Sequence, residues 1–106
     1  MAMASYPRPL ALGLLHVAAG TPPTARTQAR VDIALRANRV GYALVETFEF
    51  GTNALTDDLQ LRGVEEWAER LDVHALMTAG PVDHDRVAKI ADRLRLVIVP
   101  CVGPGT

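Results

Sequence analysis

Apolar residues gather into four short runs separated by three stretches with helical spacing. Residues 10–17 (LALGLLHV) are continuously apolar over the length of a strand. Unbroken apolarity, rather than alternation, predicts a strand buried on both faces, as at the centre of a parallel sheet. Residues 42–50 (YALVETFEF) combine β-branched and aromatic residues with partial alternation and predict a second strand. Residues 73–79 (VHALMTA) and 96–99 (LVIV) predict a third and a fourth, with Pro100 stopping the last. Between them, Ala29, Ile33, Ala34 and Ala37 recur with helical period. So do Leu61, Val64, Trp67, Ala68 and Leu71, and then Val87, Ile90, Ala91 and Leu94.

The punctuation supports three helices. Thr24 and Thr56 are expected N-caps of the first two and Asp83 of the third. Asp57 and Asp58 would sit in the first turn of the second helix, where the dipole favours anions. Gly41 is placed to end the first helix and Gly80-Pro81 to turn the chain before the third. The order β-α-β-α-β-α-β with short connections predicts an α/β fold: a single domain with a mostly parallel four-stranded sheet and helices on both faces. The domain should occupy residues 10–100, between a flexible N-terminal arm (1–9) and a Gly/Pro tail (101–106).

Composition narrows the function classes. The chain has 106 residues, enough for one domain. Eleven basic against twelve acidic residues leave a net charge of −1, so a general electrostatic grip on nucleic acid or an anionic membrane is not expected. Ten of the eleven basic residues are arginine, which fits a high-GC bacterial genome. The apolar run at 9–19 is too short to span a bilayer and reads as a strand rather than a signal peptide. One cysteine, Cys101, excludes an internal disulfide and fits a cytoplasmic protein. Charge is uneven along the chain: Arg26, Arg30, Arg36 and Arg39 face only Asp32 in the first helix. Five acids accompany Arg62 and Arg70 in the second. A basic and an acidic helix could mate between subunits.

Parallel α/β sheets collect ligands beyond the carboxyl ends of their strands. The loops expected there are 16–23, 50–55, 79–83 and the segment after Pro100. Gly13 and Gly20 lack the spacing of a nucleotide phosphate cradle, so no nucleotide cofactor is expected. Asp83-His84-Asp85 superficially suggests a metal. Adjacent helical side chains point about 100° apart, however, so the run reads as a cap, a dipole partner and a solvated histidine, and no metal is expected. Thr21, Thr52 and Thr78 are hydroxyls near strand ends, and Thr78 could meet His16 across the sheet. Cys101 has no sequence neighbour that would activate it and reads as a passive thiol.

Residues 12–18 (LGLLHVA) resemble the first strand of the serine-recombinase (resolvase/invertase) catalytic domain, which typically reads I-G-Y-x-R-V-S. Gln28 followed by residues 41–48 (GYALVETF) is similar to the family's Q…GY-x-L-V-x-x-F stretch. The third strand and its turn, through Asp83 and His84, resemble the strand ending in L-D-R-L-x-R. The resemblance covers roughly residues 10–99. It implies a resolvase-like fold, and a site in which the nucleophilic serine falls at Ala18 and a strand arginine at His16. In the second signature Asp83 is kept, the first arginine becomes His84, and the second becomes Val87 with Arg86 beside it. Strand exchange through a phosphoserine requires the hydroxyl and a cationic phosphate clamp. The degenerate positions His16, Ala18, Asp83, His84 and Arg86 therefore imply a pseudoenzyme with no catalytic residue.

The expected function is protein association or regulation, with a protein partner or a homo-oligomer and no membrane. An alternative is a DNA-associated accessory factor that touches phosphates, weakly, through Arg26, Arg30, Arg36 and Arg39. A further alternative is a small-molecule or metal-dependent enzyme that uses His16, Asp83 and His84 at the strand-end loops.

Overall fold

A computed structural model describes residues 8–51 and 53–101. Four strands, β1 (Leu10–His16), β2 (Ala43–Phe50), β3 (Ala75–Ala79) and β4 (Val97–Cys101), alternate with three helices, α1 (Pro23–Arg39), α2 (Ala54–Leu71) and α3 (His84–Leu94). The strands form one parallel sheet in the order β2-β1-β3-β4. The fold is α/β with helices on both faces, as the alternation of periods implies. The expected arm at residues 1–9 falls largely outside the described residues, as does most of the tail at 101–106.

Strand composition matches strand position. β1 and β3 are central, and Ala11, Leu12, Leu14, Ala75, Leu76 and Met77 are fully buried between the two helical layers. Fully burying one such leucine stabilises the fold by roughly 1.5–3 kcal/mol. β2 and β4 are edges, so β2 tolerates Glu46 and Glu49 among its apolar residues. Even-numbered residues of β1 and β3, with Phe48 and Phe50, pack under α2 and α3 through Leu61, Val64, Ala68, Val87 and Ile90. The opposite face is smaller: Ala11, Leu15, Ala75 and Met77 pack with Ile33 and Ala37 of α1, with Ala29 at the margin. Gly13 lets α1 and β2 approach, since a Cβ there would lie 2.9 Å from Thr47 Oγ1 and 3.2 Å from Ile33 Cγ2.

Several boundaries differ from the sequence reading. Asn53, not Thr56, caps α2: its side chain accepts the Thr56 N–H at 2.9 Å, making Thr56 the capped residue. α1 begins at Pro23 rather than after Thr24, because a proline fits the first turn, where no N–H partner is needed. Asp83 caps α3 as expected, accepting the Arg86 N–H at 3.1 Å. Pro100 lies inside β4, opposite Thr78, and Cys101 belongs to the strand rather than to a tail. An edge strand accommodates the missing N–H of a proline. Ala34 is exposed, lying about 100° around the helix from Ile33. Trp67 is half-exposed, and its ring packs edge-on against Phe48 with centroids 6.3 Å apart.

Candidate functional site

β1 ends in the middle of the sheet's carboxyl edge, which delivers His16 between the loops that follow β2 and β3. Glycines make room for it on both sides. Gly51 has φ +106°, and a Cβ there would stand 2.7 Å from both His16 Nε2 and the Val17 carbonyl oxygen. Gly80 has φ +80°, and its Cβ would approach the His16 Cβ to 3.0 Å. The Gly51 loop is held by its N–H donating to Asp57 Oδ1 at 3.0 Å, and Val17 N–H donates to the Phe50 carbonyl at 2.7 Å. These bonds make His16 part of a fitted edge.

A hollow of about 280 Å³ opens beside it, between the first turns of α2 and α3, and brings His16, Asp57, Asp58, Asp83 and Arg86 together. Most of its charges are already engaged. Asp83 caps α3, and Arg86 forms an ion pair with Asp58 that holds its guanidinium above the usual arginine range. The residues lining it include no hydroxyl or thiol. Ala18 and His84 lie outside the hollow and are exposed. Ala18 starts a turn closed by Thr21, whose hydroxyl and N–H both donate to the Ala18 carbonyl, at 2.7 and 3.2 Å. His84 is the first residue of α3. The hollow thus joins a histidine to an acid–arginine pair whose charges are already engaged. Thr78 is buried beside Leu14, one step below His16 on the same face, and no hydrogen bond joins the two. Thr52 lies outside the described residues. Among the described residues, no three His, Cys, Asp or Glu side chains converge as a metal centre requires.

The four arginines of α1 separate into two pairs. Arg26 and Arg30 point over β2 and bond Glu49, with Arg30 Nη1 at 2.7 Å from Glu49 Oε2; Arg30 also lies 3.6 Å from Glu46. Burial works to raise the Glu49 carboxyl, but the bonds from Arg26 and Arg30 outweigh it and hold the group below its ordinary range. Arg36 and Arg39 lie on the other flank and form no ion pair with the described residues. They wall a larger groove of about 630 Å³, floored by Leu15, Ile33, Ala79 and Cys101. Burial pushes the Cys101 thiol up, and the nearby Arg36 charge offsets only part of that. Two acids of α2 are likewise engaged within the fold, because Glu65 and Glu69 bind Arg93 of α3. Sequence reasoning missed Glu46 and Glu49 as the partners of Arg26 and Arg30. It also missed the exposed Val31 and Leu35, whose four-residue spacing was visible.

Among the described residues, no helix is long and apolar enough to cross a membrane. No family model, curated protein or solved structure matches the chain.

Proposed function

We propose that this chain is a catalytically inactive α/β domain, a degenerate relative of the serine-recombinase catalytic domain, that acts by associating with protein. The observation that carries this reading is the uneven cover of the sheet. Parallel sheets are normally covered on both faces. Among the described residues two helices cover one face and α1 alone serves the other, and Val97 of β4, on the α1 side, is 54% exposed against 38% for Ile98 on the opposite face. The reading is further supported by the alanine at position 18 and by the commitment of Asp83 and Arg86 to structural bonds.

Photo-cross-linking in cells tests it. A photoreactive residue in place of Val97 should give a protein adduct that disappears when Leu35→Asp is added. The same residue in place of Arg62, on the exposed side of α2, should give none. No adduct at position 97, or one indifferent to Leu35→Asp, would overturn the association reading. The catalytic half is tested with Ala18→Ser, which should not attach covalently to duplex DNA.

The second reading, DNA association, is favoured only by Arg36 and Arg39, which form no ion pair with the described residues. It predicts duplex binding that weakens steeply with salt, by about one counterion per phosphate contact. Fluorescence anisotropy across a salt series should show no binding at physiological salt.

A further inference from the structure

Three features of the α1 side have no partner among the described residues. The first is the bare half of the sheet. Register places Val97, Val99 and Cys101 on the same side as Ala75, Met77 and Ala79, facing away from α2 and α3. The second is α1 itself, which is apolar on two opposite sides. Ala29, Ile33 and Ala37 point inward. Val31 and Leu35, about 200° around the helix from Ile33, point outward and are 44% and 57% exposed. A helix that covers one sheet needs only the inner stripe. The third is charge. Asp32 and Arg36 lie one turn apart on the flank that walls the groove. Among the described residues Asp32 accepts only from Gln28 Nε2, at 2.9 Å, and Arg36 forms no ion pair.

The geometry points to a second copy of this chain as the occupant of the groove, an inference that rests on the association reading above. A two-fold axis running along α1 sets the two α1 helices side by side and parallel, between two sheets. Each helix then keeps its inner stripe on its own sheet and lays Val31 and Leu35 on the partner's Val97 and Val99. Each sheet gains the second helix that its open face lacks. The contact is isologous, so one ion pair appears twice: Asp32 of each copy meets the partner's Arg36. Side chains on a helix lean toward its N-terminus, so the long Arg36 side chain reaches back to the level of the partner's Asp32. Arg26 and Arg30 play no part, because Glu46 and Glu49 hold them on the far flank.

Sedimentation equilibrium on the purified full chain, from micromolar to submillimolar concentration, tests the inference. The expected result is a monomer–dimer equilibrium. Asp32→Arg and Arg36→Asp should each weaken it by about tenfold or more, since each places like charges at both symmetric contacts. The combined swap should recover most of the loss, and Leu35→Asp should leave a monomer. Circular dichroism should find every variant as helical as the parent. A chain that stays monomeric throughout, or a swap that does not recover association, overturns the second-copy assignment. If the chain is monomeric while the cellular cross-link at position 97 persists and still depends on Leu35, the association reading survives with a different protein in the groove. If that cross-link is also absent, both fall.

Discussion

Replacing Gly51 by alanine should be among the most damaging single-atom-scale changes this domain can suffer. Two independent costs arise. A backbone φ of +106° lies outside the regions a residue with a Cβ adopts readily, which costs on the order of 1–3 kcal/mol. The new Cβ would also stand 2.7 Å from the Val17 carbonyl oxygen and from His16 Nε2. The carbonyl belongs to backbone whose N–H is bonded to Phe50, so it cannot yield freely. Overpacking of this kind adds roughly 1–3 kcal/mol. The sum, about 2–6 kcal/mol, is a large part of the roughly 5–15 kcal/mol that a domain of this size has in total. Gly20→Ala is the control: φ is +83°, but nothing lies within 4 Å of its Cβ, so only the conformational cost applies. Urea unfolding followed by the single tryptophan, Trp67, reads both variants. Gly51→Ala should lose at least about 1 kcal/mol more than Gly20→Ala, the lower end of the overpacking cost. Adding His16→Ala should recover only the side-chain share of the clash. Equal losses in the two glycine variants would refute the reasoning that the strand edge is fitted around His16.

Leu12→Ala, fully buried under α2 and α3, should cost about 2–5 kcal/mol in the same titration, whereas Leu35→Ala, on the outer side of α1, should cost under about 0.5 kcal/mol at concentrations where the chain is monomeric. The depressed Glu49 carboxyl contributes stability that is present above its unfolded-state pKa and is lost as pH falls through the lower folded value. Glu49→Gln should therefore cost about 1 kcal/mol near pH 7 and nothing at strongly acidic pH, as measured by thermal unfolding across that range. Because burial raises the Cys101 thiol, alkylation by iodoacetamide at pH 8 should be slower than that of free cysteine, slower again in Arg36→Ala, and fast once the chain is unfolded.

Local physical chemistry is written plainly in this chain. The switch from unbroken apolar runs to helical spacing places seven elements in order, because each period reflects how a single element buries one side or both. The Asp83 cap and the turn at Gly80 are equally local. The lack of a hydroxyl at position 18 is legible too, since an alanine has none whatever surrounds it. Tertiary structure decided the rest. Thr56 and Asn53 are both sound caps in isolation, and only the path of the chain out of β2 selects Asn53. Pro100 looks like a strand terminator until β4 proves to be an edge. The four arginines of α1 form one basic group in the sequence. They separate only when β2 brings Glu46 and Glu49 against one flank and leaves Arg36 and Arg39 on the groove. The bare half of the sheet is invisible along the chain, because a period records that a residue seeks cover without saying which element supplies it. That depends on strand order and on how many helices fall on each face, which the whole chain settles only as it packs.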